Sequence, residues 1–189
     1  LREGIARGGD LNFQRAESTP LMLSVRNNHP ECLQALLENG ANPRLGMMSG
    51  WKPIHEAARY NQIELVKVLV EHTPDTTADV NNNEDTALMV AIANDAVESF
   101  DYLLGASVEG ILNHRNYDGE TALLLATRAE SSTMVAALLA RGADPSIADR
   151  GGVSPADLAA KSGWSEGLGL LAQARRAWKA QTEPSIESL

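Results

Sequence analysis

A short pattern recurs five times along the chain: Thr19-Pro20-Leu21-Met22, Lys52-Pro53-Ile54-His55, Thr86-Ala87-Leu88-Met89, Thr121-Ala122-Leu123-Leu124 and Ser154-Pro155-Ala156-Asp157. Successive starts lie 33, 34, 35 and 33 residues apart. So regular a period restricts the fold to a stack of similar units, each burying its faces against its neighbours. Within a period the sequence reads as a short helix, a break and a second helix. Proline in a first helical turn gives up no intrahelical bond and so marks a start. Asn39-Gly40 and Arg141-Gly142 end second helices with the glycine that suits a C-cap. Apolar residues at helical spacing predict one buried stripe per second helix. They are Leu33, Leu36 and Leu37; Ile63, Val66, Leu69 and Val70; Val97, Phe100, Leu103 and Leu104; and Val135, Leu138 and Leu139. Leu21, Leu23 and Val25 are expected to point inward from the first helix. The small Ala57, Ala58, Ala91 and Ala126 let helices approach closely.

The fullest copy is Gly50-Trp51-Lys52-Pro53-Ile54-His55-Glu56-Ala57-Ala58, backed by the run from Ile63 to Val70. Asn39-Gly40-Ala41-Asn42-Pro43, Arg141-Gly142-Ala143-Asp144-Pro145 and the turn Tyr117-Asp118-Gly119-Glu120-Thr121 complete the pattern. It resembles the ankyrin-repeat family over about residues 1–172. The resemblance implies an all-α solenoid of stacked helix-turn-helix units joined by β-turn fingers. It also implies a non-catalytic scaffold that binds another protein in the groove between the turn tips and the inner helices. On this reading residues 1–13 end a preceding repeat. Segments 14–45, 46–79, 80–114 and 115–147 are repeats, 148–172 is a terminal capping repeat, and 173–189 is a helical extension with a disordered tail.

The departures from the family pattern are local. His55 alone keeps the motif histidine, which in the family holds the turn through backbone hydrogen bonds. Glu17 and Glu84 stand where a turn glycine is usual, and His72-Thr73-Pro74-Asp75 replaces a Gly-Ala-Asp ending. The stretch from Gly50 to Ala58 is also similar to repeats of the ankyrin-repeat and SOCS-box group, whose members are substrate receptors of cullin ubiquitin ligases. No SOCS box follows Gln181, so a ligase role would need sequence beyond Leu189. Ala6-Arg7-Gly8-Gly9-Asp10 matches Ala140-Arg141-Gly142-Ala143-Asp144, which predicts a chain that opens part-way through a repeat of a longer protein. A targeting segment of a larger enzyme, a microbial effector and a structural spacer are the rival readings.

The net charge of −9 argues against general nucleic-acid or anionic-membrane binding, because both require a basic surface. No apolar run approaches the roughly 18 residues of a membrane span. The single cysteine, Cys32, falls on an apolar helix face and reads as a buried, inert thiol. With no intrachain disulfide possible, a reducing compartment is expected: the cytoplasm, with the nucleus or a host cytosol also compatible. His29, His55, His72 and His114 lack partners at metal-ligand spacing. Gly8-Gly9 and Gly151-Gly152 lack the strand-then-helix context of a phosphate loop. Asn81-Asn82-Asn83-Glu84-Asp85 lacks the glycine and glutamate spacing of a calcium loop. The sequence therefore predicts no catalytic residues, no metal and no cofactor, and no small-molecule ligand.

What remains is recognition. The seventh residue after each motif start is Arg26, Arg59, Ala93, Arg128 and Lys161. Packed helices lie about 8–10 Å apart, so these positions predict a basic stripe, broken at Ala93, suited to an acidic or phosphorylated segment of a partner. Trp51 and Tyr117 fall on turn tips and Tyr60 at the groove end of an inner helix; exposed Trp, Tyr and Arg are the residue types that dominate interface energetics. The turn-tip residues Asn83, Asp85 and Asp118 complete the expected binding set. Trp164 and Trp178 are expected to be structural. Trp164 opens the second helix of the terminal repeat, Gly167 and Gly169 interrupt that helix, and Trp178 lies with Leu171 over the end of the stack.

Overall fold

The computed structural model describes residues 9–14, 18–107 and 110–182. The expectations for the first segment (1–13), for Glu17 and for the tail beyond Thr182 fall wholly or mainly outside those residues. Ten α-helices form among the described residues, and extended pairing is confined to isolated bridges such as Val80 with Thr86.

The chain divides between residues 108 and 109 into two compact units. Three helical hairpins make the first. They are α1 (Pro20–Arg26) with α2 (Pro30–Glu38), α3 (Pro53–Arg59) with α4 (Ile63–His72), and α5 (Ala87–Ala93) with α6 (Val97–Ala106). A short 3-10 turn, Pro74–Ala78, follows α4. Inner helices stack on inner helices, α1 on α3 and α3 on α5, while the outer α2, α4 and α6 stack in the same order. The second unit repeats the plan with α7 (Ala122–Arg128) and α8 (Ser132–Ala140), then α9 (Pro155–Ser162) and α10 (Ser165–Thr182). There α7 packs on α9 and α8 on α10.

Inner helices of seven or eight residues are too short to persist alone in water. Their starts are fixed by caps: the hydroxyls of Thr19, Thr86, Thr121 and Ser154 accept backbone N–H bonds of 3.1, 3.3, 3.3 and 3.3 Å from the third helical residue. Each such cap contributes about 1 kcal/mol. Between the helices of the first four hairpins, Asn28, Asn61, Asp95 and Glu130 adopt φ of 53, 53, 52 and 51°. Asn and Asp tolerate that left-handed geometry better than other side chains.

Leu21, Met22, Val25, Leu33, Leu36, Ile54, Leu65, Leu69, Phe100 and Leu103 are buried, as are the close-packing Ala57, Ala58, Ala91 and Ala126. Several expectations need correction. Leu23 is 48% exposed, because a helix turns about 200° in two residues and so separates it from Leu21. Val97 is exposed and Ile63 half-buried. Both open their helices, where side chains lean toward the N-terminus and overhang the end. Cys32 and Leu139 are half-buried, each beside a fully buried leucine that carries the stripe. Gly167 and Gly169 do not interrupt α10, which is continuous. A Cβ on Gly167 would fall inside the Trp164 ring, so this glycine makes room for the indole.

Candidate functional site

The third helix begins without a hydroxyl cap, because Lys52 occupies the position of Thr19 and Thr86. His55 does that work. Its fully buried ring accepts the Lys52 backbone N–H on Nδ1 at 3.2 Å, and Nε2 lies 3.1 Å from the carbonyl oxygens of both Asp79 and Asp85. This arrangement requires a neutral imidazole with its proton on Nε2. Burial, seconded by the Lys52 charge, pushes the His55 pKa down to about 4. The histidine thus ties α3 to the finger that follows, as expected of the motif.

The preceding finger is closed by the Met47 N–H donating to the Trp51 carbonyl at 2.8 Å and the Gly50 N–H to the Met47 carbonyl at 2.9 Å. The next finger braces it: the Asn82 backbone N–H reaches the Ser49 carbonyl at 3.2 Å and Asn82 Nδ2 the Met48 carbonyl at 2.9 Å. Above these fingers lies an open pocket of about 610 Å³ lined by Arg26, Met47, Ser49, Trp51, Glu56, Arg59 and Tyr60.

Four of the predicted residues, Arg26, Trp51, Arg59 and Tyr60, therefore meet in one place. Trp51 is half-buried and sets its ring against His55 at 6.0 Å and 64°. The Arg59 guanidinium stands 5.5 Å from the ring centres of both Trp51 and Tyr60, and Tyr60 is 56% exposed. Met47, Ser49 and Glu56 are members that the sequence reading missed. Glu56 is the unexpected one. Its side chain is 7% exposed; Oε1 accepts from Arg26 Nε at 3.3 Å, while Oε2 has no hydrogen-bond partner. Arg26 also donates to Ser18 Oγ at 2.8 Å and to Met47 Sδ at 2.9 Å.

The register of the repeats explains why Arg26 is paired and Arg59 is not. Glu56 lies four residues after its motif start, facing the arginine of the preceding hairpin. In the next hairpin the equivalent residue is Val90, so Arg59 has no carboxylate to meet and stacks on the aromatic rings.

In the second unit Arg128 forms an ion pair with Glu120, whose side chain is 8% exposed. The predicted rungs are thus unequal: Arg26 and Arg128 are paired with buried carboxylates, whereas Arg59 and Lys161 have no carboxylate partner among the described residues. Arg128→Ala is expected to lower stability by about 1 kcal/mol, a modest figure because half the arginine is in water but its partner is not. A urea titration followed by circular dichroism measures this, and an unchanged midpoint would show that Glu120 is satisfied without Arg128.

The remaining candidates serve the fingers. Tyr117 is exposed with Arg150 at 4.5 Å over its ring, and the Asp118 carbonyl accepts the Arg150 N–H at 2.9 Å. Asn83 is exposed. Asp85 is half-buried, its N–H donating to Asn81 Oδ1 at 3.0 Å and its carbonyl facing His55. Among the described residues no three His, Cys, Asp or Glu side chains gather as a metal site would require, and no helix is long and apolar enough to cross a membrane.

The chain belongs to the ankyrin-repeat family: the family profile for ankyrin repeats matches residues 3–78, 21–111 and 72–149. It is similar to an ankyrin repeat domain of known structure from Acinetobacter baumannii, with a TM-score of 0.83 and 28% identity over 92% of this chain and 90% of that one. Among curated proteins, mouse Ankyrin repeat and SOCS box protein 2 is 29% identical over 103 residues, 54% of this chain and 16% of that protein. Caenorhabditis elegans Protein glp-1 is 29% identical over 177 residues, 87% of this chain and 14% of that protein. The chain thus spans a small part of the curated relatives that it matches. Its class is an all-α ankyrin-repeat protein, a fold that generally mediates protein–protein interaction.

Proposed function

We propose that the chain is a non-catalytic binding module that holds an acidic segment of a partner protein against the pocket of the first unit. One observation carries this reading: Trp51, Tyr60 and the carboxylate-free Arg59 converge on a single open pocket beside Arg26. Stacking against two rings orients the Arg59 fork without using up its N–H donors, which remain available to a carboxylate. The half-buried Trp51 contributes apolar area with few rotamers to freeze.

Affinity capture with the wild type identifies the partner, and titrations with Trp51→Ala and Arg59→Glu test the site. Truncating an aromatic anchor removes about 2 kcal/mol, roughly thirty-fold in Kd. Arg59→Glu should weaken binding further and flatten its salt dependence. Unchanged affinity in both variants, each shown to be folded, would move the interface elsewhere.

The similarity to Ankyrin repeat and SOCS box protein 2 favours a second reading, in which the bound partner is a substrate of a cullin ubiquitin ligase. Co-purification of a cullin and its adaptor with the full-length protein tests this; their absence would leave the binding module without a ligase.

A further inference from the structure

The pocket holds a hydrogen-bonding pattern that an acidic group alone does not match. Its wall includes Glu56, whose Oε1 is held by Arg26 and whose Oε2 is an acceptor with no donor, on a side chain more than nine-tenths buried. Its rim carries Arg59, a set of donors with no carboxylate among the described residues. A buried acceptor left without a donor is destabilising, so a ligand that supplies one gains by doing so. Two guanidiniums against one carboxylate leave the pocket net positive, which disfavours a lysine or arginine of the ligand. A carboxylate would satisfy Arg59 but bring like charge toward Glu56.

We infer that the pocket selects a primary carboxamide, the side chain of an asparagine or glutamine carried within the acidic segment, an inference that rests on the function proposed above. The amide NH2 donates to Glu56 Oε2 and the amide oxygen accepts from Arg59, both bonds lying in the plane of one flat group. Trp51, Tyr60 and Met47 line the same pocket and supply apolar surface for the methylene stem. A main-chain amide offers the same donor and acceptor, but chain continues from both its ends and it cannot enter end-on. Oε2 is closed to solvent in this structure, so the carboxamide reaches it only as a neighbouring side chain of the pocket moves aside.

The test is a display selection on the intact chain, using short acidic peptides whose central position is randomised. Asparagine and glutamine are expected to be enriched there over aspartate and glutamate by about tenfold, the size of one buried charge-assisted hydrogen bond. On Glu56→Gln, which places donors where Oε2 was, the preference should move to aspartate and glutamate. Enrichment of acidic or basic residues on the wild type, or no preference at the central position, overturns the carboxamide while the acidic-segment function stands. Retention of no peptide overturns both. If Glu56→Gln fails to fold by circular dichroism, the wild-type selection decides alone.

Discussion

Replacing His55 by alanine should lower the stability of the first unit by roughly 3 kcal/mol or more. The ring serves three backbone groups at once: the Lys52 N–H and the carbonyls of Asp79 and Asp85. Removing it leaves buried polar groups unpaired, at about 1–3 kcal/mol for each that water cannot reach. It also opens a cavity beneath Trp51. Urea denaturation read by fluorescence of a Trp164→Phe/Trp178→Phe background, in which Trp51 is the one remaining indole, measures the loss, and a change under 1 kcal/mol would mean that the fingers hold themselves. The same ring predicts a pH dependence. Its folded pKa of about 4 lies below the ordinary 6.5, so as pH falls the unfolded chain takes up the proton first. The stability that His55 contributes is therefore complete above about pH 6.5 and declines by up to about 1.4 kcal/mol per pH unit until about pH 4. Wild type should lose this increment between pH 7.5 and 4.5, and His55→Ala should lack it. Parallel profiles for the two proteins would place the titration elsewhere.

Gly46→Ala is expected to be nearly as severe while leaving the helices in place. A Cβ at Gly46 would overlap the Trp51 carbonyl group and come within 3.0 Å of Lys52 Cα. That carbonyl cannot turn aside without breaking its 2.8 Å bond from the Met47 N–H, so the finger itself must open. A loss of about 2 kcal/mol or more follows, within the range of overpacking against backbone. Partner binding should fall at least as far as in Trp51→Ala, because Met47 and Trp51 both leave their positions. Hydrogen exchange at the Met47 amide reports on the finger directly. Retained protection there would show that the loop absorbs the methyl group by another route.

The period of the sequence made the hairpins legible, since prolines, threonine caps and apolar stripes act within one helix or between adjacent ones. Leu23 comes out exposed because the alternate positions Leu21, Leu23 and Val25 do not share one face of a helix, and Val97 because it fits the helical spacing but overhangs the first turn. The pocket was half legible. Arg26 and Arg59 share a register, and Trp51 and Tyr60 flank the same helix, so stacking alone brings them near one another. Glu56 was not legible as a site residue: its position is Leu23 in one hairpin and Val90 in another, and its ion pair lies 30 residues away. Nor does anything in the letters around Gly46 announce that its missing side chain is what lets the finger close.

The pocket is assembled across a junction, with Arg26 supplied by one hairpin and Trp51, Glu56, Arg59 and Tyr60 by the next. This bears on how such a site is inherited. Copying a single repeat would carry the carboxylate of Glu56 into a new stack beside Arg59, the guanidinium of its own parent unit, and that pair would draw Arg59 off the rings. The original pocket would lose its available cation at the moment the chain gained a second one. A chain that multiplies this binding site must therefore copy hairpins two at a time, or replace the glutamate as it grows.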